Sequence, residues 1–138
     1  MQEESKRLNS MTASRKLFDD SEAAHPIREE EFIKVENIRG KLLLIGGEDD
    51  TLWDTAKYIR RMEQRLATHE HSCSVETAVY KHATHFVFPE SLLKSVWKLN
   101  TNILINAVFP YSKPFGDECK KARIDIDNRI TNAIKNWN

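Results

Sequence analysis

Long apolar runs, a disulfide framework and a net charge are all missing from this chain of 138 residues, and each absence excludes a class of protein. No run approaches the ~18 to 20 apolar residues that a membrane span needs. Only Cys73 and Cys119 are present, too few for a disulfide scaffold, so a cytoplasmic location is the expectation. The 21 basic residues are matched by 21 acidic ones. That balance argues against a general nucleic-acid binder, which carries a basic excess, and against a polybasic membrane-surface module. The opening segment MQEESKRLNS has no apolar core and does not read as a secretory signal. Glycine is scarce, and none of Gly40, Gly46, Gly47 and Gly116 brackets a Ser or Cys as G-x-[S/C]-x-G. What remains is 40% hydrophobic and 30% charged, the balance of a single globular domain.

The stretch around which the rest is organised is KLLLIGGEDDTLW, Lys41 to Trp53. The apolar run Leu42 to Ile45, bounded by turn signals, is the mark of a strand buried on both faces. In α/β proteins functional groups sit just past the carboxyl ends of such strands, which is where Asp49 and Asp50 fall. Before it, residues 1–31 form a polar and partly helical lead-in, with a short helix from Ala13 to Ala24 stopped by His25-Pro26. Arg28 to Glu31 reads as a solvated helical turn. After it, Thr51 to Thr68 has a helical period through Leu52, Ala56, Ile59, Met62 and Leu66. Cys73 to Tyr80 alternates as a second strand. Ser91 to Phe109 reads as one buried helix ending before Pro110. Asp117 to Trp137 carries Ala122, Ile126, Ile130, Ala133, Ile134 and Trp137 on one stripe, a closing helix packed on the sheet. The pattern is a parallel βα one with only two strands, an incomplete sheet that leaves long edges exposed.

An acid ahead of a helix is most simply an N-cap. The alternative is a carboxylate that orients a catalytic histidine placed after the next strand. His85, in YKHATHF, stands there, with His82 as a competitor nearer the strand end. An acid followed one strand later by a histidine fits the α/β-hydrolase order of nucleophile, acid, histidine. In that arrangement the imidazole takes the nucleophile's proton, and the carboxylate holds its tautomer.

GEDDTLW and YKHATHFVFPE together resemble the C-terminal domain of the acyl-CoA thioester hydrolases and bile acid-CoA:amino acid N-acyltransferases, α/β-hydrolases of the dienelactone-hydrolase neighbourhood. The resemblance covers Phe32 to Pro89 well and Gly116 to Trp137 loosely, placing the domain at residues 32–138. It implies the C-terminal portion of an α/β-hydrolase, with parallel strands flanked by helices. It implies Asp50 as the triad acid, Trp53 as the family tryptophan and His85 as the triad histidine. It also implies hydrolysis of, or acyl transfer from, an acyl-CoA or other acyl thioester, with no cofactor. Thr84 stands where the family often has Gly. The nucleophile elbow is missing, which implies a Ser or Cys upstream of this chain and no activity in the chain alone. The partner is then the missing N-terminal part of the hydrolase. The rival reading is a non-catalytic remnant that pairs with another chain, or with a copy of itself, through its exposed sheet edge.

A zinc site competes for some of the same residues. His69, His71 and Cys73 would share one face if the strand began that early, with His82 and His85 following as H-x-x-H, but the spacing matches no standard finger. Lys120, Lys121 and Arg123 read as the solvated face of a helix, and Trp97 as core.

Overall fold

Leu42 to Ile45 form a strand because an apolar run closed by two glycines is satisfied only when both its faces are covered. In the computed structural model, which describes residues 14–98 and 100–136, that strand is β1, Lys41–Gly47. Among the described residues the first elements are α1 (Ser14–Ala24) and short 3-10 turns at Glu29–Glu31 and Val35–Asn37. After β1 come α2 (Thr55–Thr68), β2 (Ser74–Tyr80), α3 (Glu90–Val96) and α4 (Thr101–Val108). A 3-10 segment, Pro110–Phe115, then leads into α5 (Gly116–Lys135). The lead-in over residues 1–13 and Trp137 lie outside the described residues.

β1 and β2 make a two-stranded parallel sheet whose register runs from Lys41 opposite Ser74 to Gly47 opposite Tyr80. The fold is therefore α/β, an incomplete parallel sheet flanked by helices. Alternation along the strands puts Leu42, Leu44 and Gly46 on the face under α2. Leu42 joins Val35, Leu66, Cys73 and Met62 in one apolar cluster, and Ile59 reaches over Gly46. The opposite face meets α5, where the Tyr80 hydroxyl donates to Asp125 Oδ2 at 2.7 Å and Arg129 pairs with Glu76.

Four sequence expectations need correction. The helix after β1 begins at Thr55, four residues later than its period suggested, and its N-cap is Asp54, whose side chain accepts from the Lys57 amide at 2.8 Å. Leu52 lies in the preceding turn instead of on the helical stripe. Ser91 to Phe109 is two short helices, and Leu92, Val96 and Ile103 are exposed. The Asn100 side chain caps α4 through the Asn102 amide at 2.9 Å. The break also brings Glu90, at the start of α3, and Thr101, at the start of α4, together around Arg123. Glu90 accepts from Arg123 Nε at 2.8 Å and from the Thr101 hydroxyl at 2.9 Å, all three residues being buried. Arg123 therefore does not belong to a solvated basic face, although Lys120 and Lys121 do.

The closing stripe is also only partly buried. Cys119, Ala122, Arg123 and Ile126 are buried, but Ile134 is 68% exposed. The end of α5 nonetheless stays beside the sheet, where Lys41 Nζ at the start of β1 donates to the Asn136 carbonyl.

Candidate active site

Parallel pairing makes the two strands end on the same side, so Glu48-Asp49-Asp50 and Lys81 to His85 emerge side by side. The ladder runs one bond further, from the Glu48 amide to the Tyr80 carbonyl at 3.0 Å. Beyond it the histidine loop folds back over the end of β1. A Cβ on Gly47 would stand 2.1 Å from the Ala83 carbonyl oxygen, so only glycine permits this approach. Thr55 fixes the other side: its hydroxyl donates to the Gly47 carbonyl at 3.0 Å and accepts from the Gly47 amide at 3.2 Å. The second glycine of the strand thus sets how close the two loops come.

Asp50 is 1% exposed and turns inward between them. Its Oδ1 accepts from the Leu52 amide at 3.0 Å and more weakly from the Trp53 amide at 3.4 Å. Its Oδ2 lies 3.0 Å from Nδ1 of His85. With its proton on Nδ1 the neutral ring donates to this carboxylate and keeps Nε2 as the acceptor nitrogen. Trp53 stands edge-on to the His85 ring, 4.7 Å between centroids, and Phe18 of α1 stands edge-on to Trp53 at 5.9 Å. Helix α1 is tied to the same turn, with the Ser14 hydroxyl donating to the Leu52 carbonyl at 2.9 Å and the Arg15 amide to the Thr51 carbonyl at 3.0 Å.

Asp49 and His82 form a second pair alongside, with Nδ1 of His82 3.0 Å from Asp49 Oδ2. The His82 ring is stacked flat on Phe115 at 3.8 Å, and its carbonyl accepts from the Cys119 thiol. Neither acid of the turn is the N-cap of α2; Asp54 takes that place. Thr84, the departure from the family's frequent glycine, is buried, and its hydroxyl accepts from the Phe86 amide at 3.2 Å. No described residue other than glycine has a positive φ, so threonine meets no backbone obstacle there.

Among the described residues no Ser, Thr or Cys is hydrogen-bonded to His85. Cys119 is the nearby thiol, but burial pushes its pKa up, so it stays protonated and is a poor nucleophile. The zinc arrangement fails on backbone grounds. β2 starts at Ser74, so His69, His71 and Cys73 do not alternate along a strand. His71 Nδ1 lies 3.1 Å from the Cys73 carbonyl and 3.4 Å from the Cys73 Sγ, so two of the candidate ligands meet, but His69 turns back to the last turn of α2. Among the described residues no three His, Cys, Asp or Glu side chains converge as a metal site. No described helix is long and apolar enough to cross a membrane.

Sequence reasoning missed what holds the acidic turn from below. The Tyr111 hydroxyl donates to the Asp49 carbonyl at 2.8 Å and accepts from the Thr51 hydroxyl at 3.2 Å. Burial pushes the Tyr111 phenol up to about 12, against the pull of the Thr51 hydrogen bond and with the help of the Asp50 and Asp49 charges. The tyrosine is therefore a neutral donor across the ordinary pH range. Nothing in the local sequence announces a residue that acts 62 positions away.

Residues 1–103 match the family described as BAAT / acyl-CoA thioester hydrolase C terminal. Comparison with curated proteins and with solved structures finds no significant match.

Proposed function

Because the chain belongs to the BAAT / acyl-CoA thioester hydrolase C-terminal family, we propose that it supplies the acid and the histidine of an acyl-transfer triad acting on acyl-CoA or a related acyl thioester. Asp50 orients His85. His85 takes the proton of a Ser or Cys nucleophile through Nε2 and gives it to the leaving thiol as the acyl-enzyme forms, then withdraws a proton from the acceptor and returns it to the nucleophile as the acyl-enzyme breaks down. The nucleophile is carried by polypeptide outside these residues. The observation that supports this most directly is the 3.0 Å Asp50–His85 contact, made by a carboxylate whose other oxygen already accepts backbone amides. That geometry supports a ring protonated on Nδ1, with Nε2 as the nitrogen that would meet the nucleophile.

The test is a chimera in which the whole 138-residue chain, α1 included, replaces the corresponding domain of a complete family enzyme. The expected result is thioester turnover that falls on the order of 10³ to 10⁴ in kcat on Asp50→Asn and to background on His85→Ala. A loss below tenfold in Asp50→Asn would remove Asp50 from the triad. The chain by itself should turn over no acyl-CoA above background, since its sequence carries no G-x-[S/C]-x-G elbow.

A second reading is favoured by one feature. Among the described residues β1 has one unpaired edge, yet beyond Lys41 it is entirely apolar or glycine. Edge strands are usually protected by charge, proline or a bulge, and β2, with Glu76 and Thr77, is the more edge-like of the two. On this reading β1 is an interior strand that pairs with another chain. Light scattering that shows only monomer at every concentration, together with no pairing to a supplied N-terminal part, would dismiss it.

A further inference from the structure

The 3-10 segment Pro110–Phe115 lies past residue 103, where the family match stops, yet it holds both site loops from outside. The Tyr111 hydroxyl contacts the residue before Asp50 through the Asp49 carbonyl (2.8 Å) and the residue after it through the Thr51 hydroxyl (3.2 Å). A single oxygen atom thus ties both flanks of the acid. The Tyr111 ring stands 5.9 Å from Phe109, and Phe109, fully buried, stands edge-on to Phe86 at 5.1 Å. Phe86 follows His85 directly, so the same aromatic column reaches the histidine loop.

Helix α1 already holds part of the turn, through the Arg15 amide to the Thr51 carbonyl (3.0 Å) and the Arg15 guanidinium to the Asp50 carbonyl (3.1 Å), and Tyr111 adds a brace from another part of the chain. Thr51 to Trp53 have no regular structure, and the carboxylate's own anchors, the Leu52 and Trp53 amides, belong to that same turn. They fix Asp50 relative to its neighbours; relative to the histidine loop the turn is held by the Asp49–His82 pair (3.0 Å), by Trp53 against the His85 ring and by the Tyr111 contacts. A displacement of about 1 Å would take a 3.0 Å contact out of hydrogen-bond range.

We propose that Tyr111 is a positioning residue for the Asp50–His85 pair, its hydroxyl pinning the acidic turn and its ring, through Phe109 and Phe86, seating the histidine loop against it. This rests on the acid–histidine reading above and adds to it an element from the part of the chain that the family match does not cover.

The test is nitrogen-15 and proton NMR of the His85 ring in the full 138-residue chain. In the unsubstituted protein the ring should be a single Nδ1–H tautomer, with a downfield Nδ1 proton that disappears in Asp50→Asn. In Tyr111→Phe that proton should exchange with solvent at least about tenfold faster, about 1.4 kcal/mol of lost protection, and the ring should populate both tautomers while the amide spectrum stays dispersed. Thr51→Val removes only the lighter of the two contacts and should move the same signals less far; it decides the matter if Tyr111→Phe does not fold. A lowered melting temperature with the His85 signals unchanged would make Tyr111 merely structural and overturn the proposal, as would unchanged signals in Thr51→Val when Tyr111→Phe is unfolded. If the unsubstituted protein shows no Asp50-dependent Nδ1 proton, the acid–histidine reading fails first and takes this inference with it.

Discussion

The Ala83 carbonyl oxygen lies 2.1 Å from the point where a side chain would begin on Gly47. No rotamer change can relieve that overlap, because the obstacle is backbone. Gly46 differs: a Cβ there would meet the Ile59 Cδ1 at 2.7 Å, the end of a side chain that can turn. Gly47→Ala should therefore cost at least about 2 to 3 kcal/mol of unfolding free energy in urea, and Gly46→Ala clearly less. Equal costs would mean that the histidine loop moves aside freely.

The Glu90–Arg123 pair is buried on both sides, 3% and 2% exposed. Burial by itself would push the Glu90 carboxyl up, but the hydrogen bonds from Arg123 and Thr101 hold it below the ordinary carboxylate range. Arg123→Met alone leaves Glu90 buried without its partner and should cost about 3 to 5 kcal/mol, while Glu90→Leu with Arg123→Met should recover most of that loss. Equilibrium unfolding of the two proteins decides it. A double variant as unstable as the single one would show that the helix starts need the ionic network itself.

Acid should weaken the fold at a second place. Arg65 hydrogen-bonds Glu36 at 2.6 Å and holds its pKa at about 2, against an ordinary value of 4.5. The unfolded chain then binds more protons than the folded one between those values, so this contribution is complete above about 4.5 and is lost as the pH falls toward about 2. Arg65→Met, which releases Glu29 as well as Glu36, should flatten the fall in urea midpoint across that window and leave the slope at neutral pH alone, and Glu36→Gln should reproduce the part owed to Glu36. Identical slopes would remove the pair from the acid response.

Cys119 should resist alkylation. Its thiol is buried, raised in pKa and donating to the His82 carbonyl. Labelling by iodoacetamide at neutral pH should be slower than for a free cysteine by at least about tenfold and should speed up when Phe115→Ala uncovers the His82 ring. Rapid labelling of the native protein would show that the loop opens often.

Much of this was legible because it is local. The apolar run before two glycines announced a buried strand, and the alternation of β2 announced its neighbour. The order acid, strand, histidine drew attention to Asp50 and His85, and the structure puts them 3.0 Å apart. What was not legible depends on distant contacts. Periodicity ran α2 back to Thr51 because Leu52 fits the stripe, but Asp54 caps better once Asp50 is turned inward. Apolar content suggested one helix over Ser91 to Phe109. The buried requirement of Arg123, 33 residues from Glu90, splits it. Tyr111 carries no motif at all; only folding brings it under the acidic turn.

The seven matched positions of β1 and β2 also act as a ruler. Sliding one strand past the other by a single residue would move the acidic turn about 3.3 Å relative to the histidine loop and turn every side chain to the wrong face. A slip of two would restore the faces but leave the carboxylate and the imidazole about 6.6 Å further out of step, and would lift the one glycine that tolerates Ala83 out from under it. Reach between Asp50 and His85 is thus an integer property of the sheet: the strands mesh at one tooth, and at any other the two side chains cannot meet.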